Sequence, residues 1–178
     1  FADDEPFVLS VARLNLDGVV KADGFGYGTD ASCQGEGPGG GWGICSSTDP
    51  SNGGAHGGDG GYFDPPGNGP ALPYGSITEP VTLGSGGGGL SLAGPGGGAI
   101  KIIATEEIAL NGTITSDGYG GGSSYPSYPS GGGAGGSIWL IAPLISGNGN
   151  ISVAGGRSLF GADGSGGRMS IDTPQLSS

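Results

Sequence analysis

The stretch Ser137-Ile138-Trp139-Leu140-Ile141-Ala142-Pro143-Leu144-Ile145-Ser146-Gly147-Asn148-Gly149-Asn150-Ile151-Ser152-Val153-Ala154-Gly155 decides the fold. Its first five residues are rich in large apolar and β-branched side chains, the signature of a short strand. Asn148-Gly149 tolerates positive φ and so marks a turn. Ile151 restarts an apolar segment, and Gly155 follows it four residues later. The unit is strand, corner, strand, glycine.

That unit returns twice upstream. Ile100-Lys101-Ile102-Ile103-Ala104 is followed by Ile108-x-Leu110-Asn111-Gly112-x-Ile114 and Gly118. Val8-Leu9-Ser10-Val11-Ala12 is followed by Leu14-x-Leu16-Asp17-Gly18-x-Val20 and Gly24. Met169-Ser170-Ile171-Asp172-Thr173 repeats the strand a fourth time. A hairpin would need only an isolated Asx-Gly pair, whereas recurrence of the whole unit suits corners within the coils of a solenoid. Ala104 to Ala142 is 38 residues and Ala142 to Thr173 is 31, steps that fit a coil with an extruded loop. The 92 residues from Ala12 to Ala104 place a Gly/Pro-rich insertion at about 25–95, or else extra irregular coils within that stretch.

Stacking the units sets Ile100 on Ile138 on Met169, and Ile102 on Leu140 on Ile171, in parallel register. One coil cannot bury its own apolar face, so several must stack. The expectation is all-β: a short right-handed parallel β-helix (β-solenoid) with long Gly-rich loops, a single domain over 1–178. A Gly-rich β-sandwich is the alternative, since short strands with turn signals also suit it.

Composition tests that reading. With 46 glycines and 13 prolines in 178 residues, the chain first suggests low complexity. However, of its 35 Val, Ile, Leu and Phe residues, 21 fall in 7–22, 99–115 and 137–153, so a narrow core is affordable. The net charge of −11 with five basic residues disfavours nucleic acid. No apolar run approaches the roughly 20 residues of a membrane span. The chain shows no initiator Met, charged n-region or cleavage site, and so reads as a mature, already processed chain. The tracts Gly86–Gly89, Gly96–Gly98, Gly131–Gly133 and Gly135–Gly136 are read as preceding strands. They serve either as flexible linkers or as closely packed backbone in polyproline II form.

The pattern Gly-Ala-Gly-Gly-Ser-Ile-Trp-Leu-Ile-Ala (133–142), with Ile-Ser-Gly-Asn-Gly-Asn-Ile-Ser-Val-Ala-Gly-Gly (145–156), resembles glycine-rich repeats of extracellular β-solenoid surface and filament proteins. The resemblance is one of repeat style and covers 7–24 and 96–178. It implies an extracellular structural or adhesive role and carries over no catalytic residue.

Cys33 and Cys45 are the only cysteines. Their spacing is neither a redox nor a zinc motif, and a disulfide closing a Gly-rich loop in an oxidising compartment is expected. Asn111-Gly112-Thr113 and Asn150-Ile151-Ser152 are N-glycosylation sequons at what reads as one corner of successive repeats. Ser123–Ser130 has the Ser/Pro composition of O-glycosylated segments. Asp117 and Glu106–Glu107 are carboxylate candidates for glycan chemistry, with no basic residue recurring beside them. His56, the single histidine, would serve catalysis only from a mobile glycine loop. Gly57-Gly58-Asp59-Gly60-Gly61 occurs once and lacks the repetition of a calcium-binding array. No catalytic, cofactor or metal residue is therefore assigned, and the chain is read as not an enzyme.

The fourth repeat stops before its corner glycine, and the first strand begins by residue 7. Solenoids without polar caps expose strand edges. The expectation is a structural subunit of an extracellular filament, sheath or appendage at the cell surface. It assembles head-to-tail through Phe1, Phe7, Met169, Ile171 and Leu176, with itself as partner and glycans as a second class. A surface adhesin or carbohydrate-binding module is the alternative, and a polysaccharide-active enzyme ranks below both.

Overall fold

The computed structural model describes residues 5–45, 49–62, 69–90, 92–122 and 129–176. Among the described residues there are nine strands and no helix: β1 (Phe7–Leu16), β2 (Val19–Lys21), β3 (Ala99–Leu110), β4 (Thr113–Thr115), β5 (Ser137–Ile141), β6 (Leu144–Ser146), β7 (Asn150–Ser152), β8 (Arg168–Asp172) and β9 (Gln175–Leu176). Every strand ladder is parallel, whereas the sandwich alternative requires antiparallel ones. The fold is therefore mostly β, in two parallel sheets.

The larger sheet has four rows: β1, then β3, then β5 with β6, then β8 with β9. The smaller has three, β2, β4 and β7. The rows at the third and fourth levels break at Pro143 and Pro174, which lack the N–H that a continuous ladder needs. The expected stacks form, with Ile100 opposite Ile138 and Ile138 opposite Met169, and Ile102 opposite Leu140 and Leu140 opposite Ile171.

The first strand departs by one residue from its motif alignment. Phe7 pairs with Ile100 and Leu9 with Ile102, where the repeat reading set Val8 on Ile100. A bulge corrects the offset: Val11 faces Ala104 and Arg13 faces Glu107, so β3 carries one more residue than β1 there. Beyond it Leu14 meets Ile108 and Leu16 meets Leu110, as the corner motif requires.

Between the sheets lie Ile100, Ile102, Ile108, Ile114, Ile138 and Leu140, each at most 1% exposed. Leu9, Leu14, Val20 and Ile151 close the core from the neighbouring rows. Full burial of such side chains stabilises by roughly 1.5–3 kcal/mol each.

The glycine tracts form a second layer continuous with the strands. From Gly131 to Gly136, successive N–H groups donate to the carbonyls of Gly88, Ala162, Tyr119, Ser85, Ser165 and Ser116. The acceptor segment repeats every third residue: 84–89, 162–167, 116–121, then the same order again. Three residues per turn without internal hydrogen bonds is polyproline II winding. The carbonyls of Gly131, Gly132, Gly133 and Ala134 accept from Gly94, Gly54, Gly156 and Gly97, adding three more neighbouring segments. The tract 131–136 is thus surrounded on six sides.

Glycine is required because backbones touch. A Cβ on Gly132 would lie 2.0 Å from the Gly156 carbonyl oxygen, and one on Gly133 would lie 2.1 Å from that of Pro95. The tracts are therefore packed structure and not flexible linkers. Within the segment at about 25–95, residues 26–28, 35–41, 52–57 and 84–89 hydrogen-bond into this layer. One expectation is corrected here: among the described residues Gly86–Gly89 leads into no strand, and the Gly87 N–H donates to the Gly94 carbonyl.

Candidate functional site

The parallel stack ends at two unpaired edges. Among the described residues β1 pairs only with β3 and β8 only with β5, so each presents one open row of backbone groups. Phe7 is 58% exposed at one edge, with Met169 at 44% and Ile171 at 43% at the other. Their equivalents in the inner rows are sealed. Leu176 pairs through its backbone with Ile145 in β9. Phe1 lies outside the described residues.

Beside the β1 edge is a cleft of about 770 Å³ lined by Phe7, Lys21, Phe25, Tyr27, Glu36 and Leu83. The repeat reading missed Phe25, Tyr27 and Glu36, because they belong to the irregular segment that no motif aligns. Lys21 is held at the rim by Asp23, 2.9 Å away.

Cys33 and Cys45 form the expected disulfide, with Cα atoms 5.5 Å apart. The Asp30 carboxylate shapes the turn before it, accepting from the N–H groups of Ser32 at 2.8 Å and Gln34 at 2.9 Å. Cys33 is buried and its carbonyl accepts from Gly89, so the bridge ties Cys45 to the glycine layer. Closing a loop of 12 residues contributes about 3 kcal/mol in the loop-entropy model. Reduction should therefore lower the unfolding free energy by about that amount, as chemical denaturation with and without reductant will show. Alkylation of the unreduced protein should modify neither thiol.

Asn111 and Asn150 are both exposed, but they are not equivalent. Asn150 opens β7 opposite Thr113, two residues beyond Asn111 in the stack. Asn111 sits at the corner itself, donating to the Asp17 carboxylate at 3.2 Å. Of the Ser/Pro segment, residues 123–128 lie outside the described residues.

The carboxylates have structural partners. Asp117 accepts from the Ser152 hydroxyl and the Ala154 N–H, both at 2.6 Å, while Asp23 accepts from the Asp117 N–H at 2.8 Å. Asp23 and Asp117 thus each bind backbone of the following row of the stack; the equal spacing of Asp23 from Val20 and of Asp117 from Ile114 was the signal for it. Burial pushes the Asp23 carboxyl up, but the Asp117 N–H and Lys21 outweigh it and hold the group below its ordinary value. Glu106 and Glu107 do have a basic neighbour: Arg13 lies 3.2 Å from the exposed Glu106 and 3.8 Å from the half-buried Glu107, and the exposed pair is worth at most about 1 kcal/mol. Among the described residues no three His, Cys, Asp or Glu side chains converge as metal ligands, and no helix is long and apolar enough to cross a membrane.

His56 stands in no mobile loop. It is fully buried where the segments 52–57 and 131–136 meet, with Nδ1 2.8 Å from the Gly135 carbonyl and Nε2 2.8 Å from the Thr82 hydroxyl. Thr82 approaches from far along the chain, so sequence spacing held no sign of this contact.

No protein-family pattern, curated protein or solved structure matches the chain.

Proposed function

We propose that the protein is a structural subunit of an extracellular filament, sheath or appendage. In this reading it is a short right-handed parallel β-helix whose coils continue head-to-tail from one copy to the next. The observation that carries it is the pair of open edges, because they match row for row. Through the inner rows, Met169 is equivalent to Phe7, Ile171 to Leu9 and Leu176 to Leu14. Laying β8 and β9 of one copy along β1 of the next would continue the same apolar stacks. Such a contact joins two different surfaces, so it propagates into an open chain. Removing residues 1–8 deletes the start of the receiving edge. The full chain should form filaments in negative stain and the truncated one should not; filaments that persist unchanged in the truncated protein would defeat this reading.

The disulfide suits an oxidising extracellular setting. The exposed sequon asparagines lie off the core stacks, so glycan at either would leave the coils undisturbed. A glycopeptide map of native material should find Asn111 and Asn150 occupied, and two bare asparagines would remove the glycoprotein part of the reading. The aromatic cleft with Phe7, Phe25 and Tyr27 favours a second reading, a carbohydrate-binding module.

A further inference from the structure

Residues 74–83 cross the glycine layer and are fastened to it around His56. The Tyr74 N–H donates to the His56 carbonyl at 3.1 Å, and the two rings stand 4.8 Å apart. The Ser85 hydroxyl donates to the Tyr74 hydroxyl, which in turn donates to the Leu83 carbonyl. Arg168 Nε donates to the Tyr74 carbonyl at 2.6 Å, and the Ser137 hydroxyl donates to that of Thr82 at 2.6 Å. Pro80 is buried beneath the segment, while Ile77 on its outer side is 71% exposed.

The imidazole is the centre of these fastenings, and its protonation state is set by geometry. A carbonyl only accepts, so Nδ1 carries the proton toward Gly135 and Nε2 receives the Thr82 hydroxyl proton. Through that contact Thr82 ties the segment to the ring, alongside the bond from the Ser137 hydroxyl to its carbonyl. A proton on Nε2 would leave the ring a donor at both nitrogens; the Thr82 hydroxyl would then rotate to accept, and a cation would be enclosed beneath the segment.

We propose that residues 74–83 are an acid-released strap, opened when His56 is protonated at Nε2. The groups that face the ring make the protonated form costly while the strap is closed. Arg168, at the start of β8, is a cation. Tyr74 is a phenol pushed up to about 12 by burial, and so stays neutral. The segment 131–136 brings no ionisable side chain. Asp163, in 162–167, is exposed and receives the Ser158 N–H, and Glu79 of the strap is exposed. Among the described residues no carboxylate contacts the ring.

Burial drives the imidazole below its ordinary 6.5 and Arg168 adds to this, with the Gly135 carbonyl opposing. A depressed value in the closed state means that the neutral ring's contribution is complete above 6.5. It is lost as pH falls toward the closed-state value. Over that window the open fraction rises up to about tenfold per pH unit. Opening also frees Arg168 at the β8 edge, a consequence that bears on assembly only if the head-to-tail reading holds.

The chain has one histidine, so one imidazole resonance reports the titration directly. The experiment follows that resonance and backbone hydrogen exchange over 74–83 in the intact, oxidised chain between pH 7.5 and 4.5. The expected result is an imidazole midpoint below 6.5, coinciding with at least tenfold loss of strap protection while β3 and β5 stay protected. His56→Gln should remove the pH response. Should that variant not fold, Thr82→Val supplies the test, because losing the hydroxyl donor moves both midpoints to higher pH. Strap protection that is unchanged while the imidazole titrates, or that falls equally in His56→Gln, would overturn the proposal.

Discussion

Gly132→Ala should yield no stably folded protein, whereas Gly58→Ala should unfold at nearly the wild-type denaturant midpoint. The added methyl group is the same in both, and the surroundings decide the outcome. At Gly132 the Cβ would lie 2.0 Å from the Gly156 carbonyl oxygen and 3.0 Å from the Gly164 nitrogen. At Gly58 nothing lies within 4 Å. Extra methylenes in ordinary cores cost about 1–3 kcal/mol because neighbouring side chains shift to accept them. Here the obstacle is backbone, and it is itself fixed: the Gly156 N–H donates to Gly133 at 2.8 Å and its carbonyl accepts from Gly164 at 2.9 Å. Moving Gly156 would break these bonds to Gly133 and Gly164. A cost above about 4 kcal/mol follows, most of what a domain of ordinary stability can lose. Equilibrium denaturation of the two variants checks this. Equal midpoints would mean that the layer is looser than its hydrogen bonds require.

A pair of edge variants should separate the two faces of the proposed joint. Phe7→Asp places a carboxylate on the receiving edge and Ile171→Asp places one on the donating edge. Both residues are exposed in the single copy, so monomer stability should change by no more than about 0.5 kcal/mol. Within a joint each carboxylate would be buried without a partner, a penalty of several kcal/mol. Because 1.4 kcal/mol is tenfold in affinity, assembly should weaken by at least about a hundredfold in either variant alone. Mixing the two is the stronger test. Ile171→Asp retains an intact receiving edge and Phe7→Asp an intact donating edge, so the mixture should form one-to-one dimers that grow no further. Sedimentation velocity would resolve them. Filaments in either single variant would contradict the assigned edges, and filaments in the mixture would contradict a head-to-tail joint.

The strands were legible because side chains announce them. Ile100, Ile102, Ile138 and Leu140 combine period-two alternation with corners at Asn111-Gly112 and Asn148-Gly149, and their pairing came out as read. The first strand slipped by one residue. Its motif ended at Ala12, which looked equivalent to Ala104, and a bulge leaves no mark in a short apolar run. Glycine content signalled a second kind of packing but not its arrangement. A tract such as Gly131–Gly133 has no side chain to say which six segments surround it, and several of those come from the part read as an insertion. The same silence hid His56, whose partners Thr82, Tyr74 and Gly135 come from three separate segments. The sequons were correct as motifs and misplaced by two residues relative to one another, because Asn150 begins a strand while Asn111 turns a corner.

The central claim is that the coils of one copy continue into the next, and the axial repeat of the assembled material tests it most directly. Adjacent strands lie about 4.8 Å apart, and four rows per copy give a rise of about 19 Å per subunit. Cryo-electron microscopy of filaments from the intact chain should show that rise, with a spacing of about 4.8 Å along the filament axis and β8 of one copy against β1 of the next. A monodisperse monomer at high concentration, or filaments whose strands run along the axis, would contradict it.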